Sequence, residues 1–218
     1  SANLLSIGDA RVSLADGRVF TFSGDIGELH TPKPGVRGSL GVNRISLAEL
    51  DKDWPATAAP EVKALVFERL SGGAVENIKF SFAGTFDRAS SQLQMAGMDM
   101  SAVMNGIRMD VGTGQYRRIV STMDGRVEMR LGAGGVVERM GVTLDLHDGS
   151  VLLDDYAGAE GIDKITLAAE ISDSTLKLED FDVAFGNGTG IKINGSMPLA
   201  ADWTPQALSL SLASRQID

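Results

Sequence analysis

The stretch NIKFSFAG, residues 77–84, decides the fold class. Ile78, Phe80 and Phe82 fall on one side of an extended chain, and polar residues separate them. Successive side chains of a β-strand point to opposite faces, so this period of two predicts a strand with one apolar and one wet face. Strands of parallel sheets are buried on both faces and read as nearly continuous apolar runs. The stretch is therefore typical of an antiparallel sheet.

The same alternation recurs along the rest of the chain. It is found in segments 125–132, 141–149, 164–172, 174–180, 181–185, 190–195 and 207–213. We predict a mainly β fold: an antiparallel hairpin meander of about a dozen strands, forming a curled or elongated sheet. Its apolar interior is either a groove or a sandwich. The residues expected to line that interior are Ile78, Phe80, Phe82, Met95, Val127, Met129, Leu131, Leu144, Leu146, Leu178, Phe185, Ile193 and Leu210.

Turn residues support the meander. Asn-Gly and Asp-Gly pairs tolerate the positive φ that two-residue hairpin turns need. We therefore predict turns at six such pairs: Asp16-Gly17, Asn105-Gly106, Asp124-Gly125, Asp148-Gly149, Asn187-Gly188 and Asn194-Gly195.

One segment departs from the strand pattern. PEVKALVFERLS, residues 60–71, places four apolar side chains on one helical face, at offsets 0, 3, 4 and 8. Pro60 suits the first turn, and Gly72 or Gly73 can adopt the left-handed conformation that ends a helix. A shorter helical turn is expected at residues 46–52, with Ser46 as N-cap and Glu49 completing a capping box.

We interpret the longer helix as a cap on the apolar interior, because a helix satisfies its own backbone hydrogen bonds while it buries an apolar stripe. The cap residues would be Trp54, Val62, Leu65, Val66 and Leu70. Residues 1–218 are otherwise expected to form one elongated β domain, a fragment of a longer chain. A sub-boundary is expected near residues 46–73, the helical insertion.

Residues 42–84, VNRISLAELDKDWPATAAPEVKALVFERLSGGAVENIKFSFAG, resemble a segment of the AsmA-like bacterial envelope proteins, the YhdP-type branch. The positions that fit the family pattern are Trp54, Pro55, Ala59, Pro60, Phe67, Leu70, Gly73 and Val75. Phe67 stands where the family has Trp.

The resemblance implies a location and a function. It implies an internal periplasmic fragment of a long Gram-negative protein that an N-terminal helix anchors in the inner membrane. It implies a hydrophobic groove that binds or conducts phospholipid, or another acyl lipid, towards the outer membrane. The alternative is a structural β scaffold, or a protein-interaction module of the envelope, without lipid cargo. Which lipid, which direction of transfer and which oligomeric state apply are left open.

Charge argues against nucleic acid as a partner. The formal net charge is −9, and phosphates require Lys and Arg. Residues 145–182 contain eleven acids and two bases, so this acidic segment carries the whole net charge. We expect its carboxylates to be dispersed over a solvated outer face, without a metal.

The sequence predicts no enzyme and no cofactor. Its two histidines, His30 and His147, lack metal-ligand spacing, and the absence of cysteine excludes thiolate sites. Asp154 and Asp155 are adjacent, so on a strand they would point to opposite faces and could not share a glycosidase site. Six methionines provide either an adaptable lining for lipid or ordinary core filling: Met95, Met98, Met100, Met104, Met109 and Met129.

Overall fold

A computed structural model describes residues 3–54, 60–112, 117–133, 136–153, 160–186, 188–200 and 206–216. These residues form a single antiparallel sheet of twelve strands that is not closed, which confirms the predicted mainly β fold. The strands are β1 (Leu5–Ser13), β2 (Val19–Gly27), β3 (Gly35–Ser46), β4 (Leu70–Ser71), β5 (Ala74–Asp87), β6 (Gln92–Gly112), β7 (Arg117–Leu131), β8 (Val137–Leu153), β9 (Glu160–Ser172), β10 (Thr175–Phe185), β11 (Thr189–Pro198) and β12 (Ser209–Gln216).

The sheet is a meander. Its order is β1-β2-β3-β5-β6-β7-β8-β9-β10-β11-β12, so almost every strand pairs with the next one along the chain. The short strand β4 lies off this path and pairs with β6. β1 and β12 are the two edge strands.

Two helices interrupt the strands between β3 and β4. α1 (Leu47–Lys52) begins at Ser46, whose hydroxyl accepts a hydrogen bond from the Glu49 amide at 3.2 Å. The Glu49 carboxylate accepts a hydrogen bond from the Ser46 amide at 2.8 Å, which completes the predicted capping box.

α2 (Pro60–Arg69) begins at the predicted residue but ends two residues early. Leu70 and Ser71 belong to β4 and pair with Met109 and Arg108 of β6. The helical spacing of Leu70 therefore does not place it on the helix, because a strand partner for its backbone is available in β6.

The chain divides into two compact units. Unit 1 comprises residues 1–44, 76–102 and 127–140, and unit 2 comprises residues 45–75, 103–126 and 141–218. Strands β3 and β5 to β8 contribute residues to both. Both helices belong to unit 2.

Four of the six predicted hairpin turns are wrong. Asn105-Gly106, Asp124-Gly125, Asp148-Gly149 and Asn194-Gly195 lie inside strands. Asp16-Gly17 is a turn, and Gly188 lies at a bend between β10 and β11, whereas Asn187 lies outside the described residues. A Cβ on Gly195 would lie 2.2 Å from the Ser209 carbonyl oxygen, so this glycine permits close approach of two strands rather than a reversal.

Strand β10 combines the two segments 174–180 and 181–185, which the alternation pattern separates between Asp180 and Phe181. The pairing of β10 with β11 shifts between Leu178 and Phe181, which indicates a bulge. The bulge reverses the alternation of side chains along β10. Leu178 and Phe181, which are three residues apart, therefore lie on the same face of the sheet. Leu178 pairs with Gly195, and Phe181 pairs with Ile193.

Glycine-dependent close approach generates a stability prediction. Gly73 has φ of +61°, and an added Cβ would lie 2.5 Å from the Gly106 carbonyl carbon. We expect Gly73→Ala to lower the free energy of unfolding by roughly 1–3 kcal/mol, since both the backbone and the neighbouring strand must shift. Gly141→Ala is the matched control, because nothing lies within 4 Å of its added Cβ. Urea denaturation of both variants measures the difference, and equal stability would contradict the close approach.

Candidate functional site

Unit 2 has a hydrophobic core. Leu146, Ile165 and Val183 are buried, and Met109, Leu144, Phe181 and Phe185 pack against them. Strand register explains part of this cluster, because Val183 pairs with Ile165 and directly paired residues share a face of the sheet.

The helices bury a second cluster in unit 2. Leu47 of α1, Ile107 of β6 and Met123 of β7 are buried together, with exposed fractions of 3%, 1% and 5%. Phe67 of α2 and Leu70 of β4 pack against them. The helical segment therefore covers apolar strand residues of unit 2.

Two of the predicted cap residues, Trp54 and Leu70, make contacts in this helical cover. The ring of Trp54 meets that of Phe67 edge to face at 5.6 Å, which agrees with an anchoring role for Trp54. The side chains of Val62, Leu65 and Val66 lie outside the described part of the chain. Leu47 and Phe67, which the helix prediction did not select, also make contacts in this cluster.

Twelve of the thirteen predicted lining residues are buried or half-buried. Leu146 is buried, and the half-buried ones are Ile78, Phe80, Phe82, Met95, Val127, Met129, Leu131, Leu144, Leu178, Phe185 and Ile193. They belong to both units, and their sharing of one interior stays a prediction.

Leu210 departs from the expectation, with 54% of its surface exposed. Leu178 of β10 pairs with Gly195 of β11, and Gly195 pairs with Leu210 of β12, so the three residues form one row across the sheet. Leu210 therefore lies on the apolar face, as its parity predicts. Its position on the edge strand β12 leaves it without a neighbour on one side, and Gly195 offers no side chain on the other. The missing neighbouring strand and the missing side chain of Gly195 explain why Leu210 is exposed.

Unit 1 presents an apolar face built from rows of paired residues. In one row Leu5 pairs with Ile26, which pairs with Val36. In two other rows the pairs of β2 and β3 are Phe22 with Leu40 and Phe20 with Val42. Directly paired residues share a face, so these rows form one apolar surface across β1, β2 and β3.

This apolar face of unit 1 is largely uncovered. Of the nine buried core hydrophobic residues in the described part of the chain, eight belong to unit 2 and Ala102 belongs to unit 1. Leu5, Ile7, Phe22 and Leu40 are exposed at 50%, 46%, 41% and 39%. Neither described helix belongs to unit 1, so no helix of that unit lies over the face.

A cavity of about 590 Å³ lies in unit 1. Much of its lining is polar, and the lining includes Ser6, Ser23, Asp25, Arg37, Ser39 and Ser81 as well as Ile7, Gly24, Gly38 and Phe82. The charged pair Asp99 and Arg130 also contributes, with 4.0 Å between Arg130 Nε and an Asp99 carboxylate oxygen. The volume falls within the usual range of small-molecule sites.

The opposite face of β1 to β3 is polar. The hydroxyls of Ser23 and Ser39 are 2.7 Å apart, and Ser6 donates a hydrogen bond to Asp25 at 2.5 Å. These residues alternate with the apolar rows, as the period of two requires. The sheet of unit 1 is thus amphipathic in this region.

A histidine cluster in unit 2 was missed by the sequence analysis. His147 Nε2 lies 3.0 Å from an Asp124 carboxylate oxygen, and Nδ1 lies 2.9 Å from one of Asp148. Asp124 also accepts a hydrogen bond from the Gly106 amide at 2.7 Å. Asp124 and His147 are 23 residues apart and meet only through the pairing of β7 with β8, so spacing gave no signal.

The cluster holds a charge but lacks a nucleophile. Hydrogen bonds that the ring donates to the carboxylates of Asp148 and then Asp124 raise the pKa of His147, and hydrogen bonds from the Gly106 amide and from His147 lower the pKa of Asp124. The nearby Ser121 hydroxyl donates to the His147 carbonyl oxygen at 2.9 Å rather than to the ring. The arrangement therefore joins neighbouring strands by hydrogen bonds, and it is an ion pair when His147 is protonated.

The acidic segment contains local pairs. Lys164 lies 3.0 Å from Asp145, and Lys192 lies 2.8 Å from Asp180. Within the described ranges no group of three or more His, Asp or Glu residues could hold a metal ion. Asp154 and Asp155 fall outside those ranges, so their arrangement stays a prediction.

Among the described helices, neither is long and apolar enough to cross a membrane. No protein family, no curated protein and no solved structure matches the chain. The resemblance to AsmA-like proteins therefore stays a prediction from the sequence.

Burial of Leu47 generates a test of the helical cover. Leu47→Ala should lower the free energy of unfolding by about 2–5 kcal/mol, because it leaves a cavity at a fully packed position. Leu212→Ala is the matched control: Leu212 is 68% exposed, so the change should cost less than about 1 kcal/mol. Thermal and urea denaturation measure both. A Leu47→Ala protein as stable as the control would show that α1 is not docked.

The histidine cluster generates a pH prediction. Since the pKa of His147 is raised above its ordinary 6.5, its contribution to stability is complete below about pH 6.5 and is lost as pH rises through the raised pKa. His147→Gln should remove this loss. Asp124→Asn should reduce it, because one of the two carboxylates that hold the imidazolium is gone. Urea denaturation across a pH series measures the dependence, and an unchanged dependence in His147→Gln would contradict the assignment.

Proposed function

We propose that this chain is a non-enzymatic module that binds the acyl chains of phospholipid, or of another acyl lipid, on the apolar face of unit 1. The observation that supports the proposal is the set of in-register apolar rows on β1, β2 and β3, in which Leu5, Phe22 and Leu40 are exposed and the remaining members are half-buried. Contiguous exposed apolar surface marks an interaction site in a folded protein.

The energetics favour an apolar ligand on this face. Each methylene group of a lipid moved from water onto apolar side chains contributes roughly 0.8 kcal/mol. Phe22 and Leu40 could both lose exposed surface to the same chain, because they are directly paired on one face of the sheet. Several methylene contacts therefore suffice for measurable affinity without any change in the fold.

The wider context is part of the same proposal. The chain would be a segment of an AsmA-like periplasmic protein whose parent is anchored in the inner membrane, and its apolar face would hold or conduct lipid between the two membranes. The resemblance of residues 42–84 supports this placement. Neither a catalytic step nor a cofactor belongs to the proposed role.

Lipid bound to the purified protein tests the proposal. We expect an organic extract of the purified chain to contain acyl lipid in an amount comparable to the protein, as measured by quantitative mass spectrometry. The double variant Phe22→Ser, Leu40→Ser should retain less lipid, because it makes one apolar row polar. Leu208→Ser, Leu212→Ser is the matched control from unit 2. An extract free of lipid, together with no uptake of added phospholipid, would overturn the proposal.

A second candidate function is protein interaction along a sheet edge. The edge strand β12 exposes Leu208, Leu210 and Leu212 at 60%, 54% and 68%, directly before or within its pairing segment. An added strand would satisfy the free backbone groups of such an edge. Saturable addition of a partner strand at β12, detected as protection of the β12 amides when a partner binds, would favour this alternative. Lipid uptake by unit 1 would not require a partner strand at β12.

A further inference from the structure

The edge strand β12 presents a pairing surface that nothing protects. It pairs with β11 over its eight residues in one uninterrupted register, and no described strand lies on its other side. Residues 206–214 contain neither a charged residue nor a proline, and all of them are exposed. Natural edge strands usually carry a charge, a proline or a bulge that prevents pairing with another chain. This stretch of β12 carries none of the three.

The other edge strand, β1, is protected. Its register with β2 shifts between Ile7 and Ala10, so that Gly8 and Asp9 stand opposite Ser23 alone. Two residues opposite one form a β-bulge, which interrupts the regular row of backbone groups that a new strand would need. The charge of Asp9 lies within this bulge. Of the two edge strands, β12 is therefore the one that is open to a further strand.

The exposed stretch of β12 reads the same in both directions. Residues 207–213 are ALSLSLA, centred on Leu210. When two copies of this stretch pair in antiparallel about Leu210, every residue lies beside an identical one. Leu208 lies beside Leu212, Ser209 lies beside Ser211, and Leu210 lies beside the Leu210 of the second copy. A two-fold axis requires a surface that is complementary to itself, and this stretch meets the requirement.

Parity makes this register consistent on both faces of the sheet. Each residue meets a residue of the same parity, so leucines meet leucines on one face and serines meet serines on the other. A slip of one residue would align the leucine face of one copy with the serine face of the other. A slip of two residues would leave one leucine of each copy beside Gln206 or Ser214. The order of side chains therefore favours one register.

The pairing also covers the leucine side chains that β12 leaves in water. Leu208, Leu210 and Leu212 are exposed at 60%, 54% and 68%. On the side of β11, Leu212 pairs with the half-buried Ile193, and Leu210 lies against Gly195. The leucines of a second copy would supply the neighbours that are missing on the other side. Such cross-strand apolar pairs stabilise a sheet.

We infer that β12 is a dimerisation strand: two copies of this chain pair in antiparallel through residues 206–214, with Leu210 on the two-fold axis. This inference rests on the second candidate function, whose partner it identifies, and it does not depend on lipid binding by unit 1. Charge does not oppose the pairing, because Lys192, which pairs with Ala213, lies 2.8 Å from Asp180. A two-fold axis uses both β12 edges, so the assembly closes as a dimer.

Sedimentation equilibrium of the purified chain over a concentration series tests the inference. We expect a reversible equilibrium between monomer and dimer, without larger species. Leu210→Lys should weaken the dimer roughly tenfold, because it places like charges directly opposite each other on the axis. Leu5→Lys is the matched control: Leu5 is similarly exposed, at 50%, but lies on β1, so this change should leave the equilibrium as it is. A monomer at every concentration, assemblies larger than a dimer, or equal loss in both variants would overturn the inference.

Disulfide trapping tests the register. The chain contains no cysteine, so each introduced thiol reports without background. Directly opposite residues of antiparallel strands have Cα atoms roughly 4.5–5.5 Å apart, which a disulfide can span. Leu210→Cys should therefore form a disulfide dimer with itself under mild oxidation. Leu208→Cys alone should not, because its two copies would be roughly 14 Å apart. Mixed with Leu212→Cys, it should form the mixed dimer.

The outcomes separate this inference from the proposals on which the chain's function depends. Failure of Leu210→Cys to form a dimer, or a dimer of Leu208→Cys alone that is equally abundant, would overturn the self-pairing. Protection of the β12 amides by a different chain, in a protein that stays monomeric, would overturn the self-pairing but keep the second candidate function. Acyl lipid in the organic extract of a monomeric protein would likewise leave lipid binding by unit 1 in place.

Discussion

Each strand of an amphipathic sheet has to hide one face from water, and this constraint governs the whole structure. Two layers normally meet this need, because a sheet packs its apolar face against another sheet or against helices. The described part of this chain forms one sheet and two short helices. Where the helices pack, side chains such as Leu47 and Ile107 are almost completely buried.

Unit 1 meets the same constraint differently. Its rows of paired apolar residues are as regular as those of unit 2, but Phe22 and Leu40 remain exposed. Leaving large apolar side chains in water forgoes roughly 1.5–3 kcal/mol for each one that could be buried. A ligand that supplies the missing cover recovers this free energy, and an acyl chain can do so across adjacent rows.

The period of two was sufficient to predict the fold class. Segments such as 77–84 contain their own alternation, so strand type and antiparallel pairing follow locally. Turn chemistry was less reliable, because Asn-Gly and Asp-Gly pairs serve bulges and close approaches inside long strands as well as hairpins. Gly195 illustrates this, since its missing Cβ makes room for the Ser209 carbonyl of the next strand.

The candidate site could be predicted only in part. Phe80 and Phe82 were assigned to the apolar face from parity alone. The pairing of Gly24 with Gly38 depends on the register of β2 with β3, and the meeting of His147 with Asp124 depends on the register of β7 with β8. Register is set by turns and bulges that lie elsewhere in the chain, so a local pattern does not contain it. The contacts of Leu47 and Phe67 likewise arise from tertiary packing.

The most direct measurement of the central claim is methyl NMR of the lipid-free protein during titration with lauric acid. Saturable shifts are expected for the methyl groups of Ile7, Ile26 and Leu40 on the apolar face of unit 1. The chemical shifts of the methyl groups of Ile107 and Ile165 in the buried core of unit 2 should not change. Shifts that are absent from unit 1, or that arise in the core of unit 2 instead, would contradict an acyl-binding face on β1 to β3.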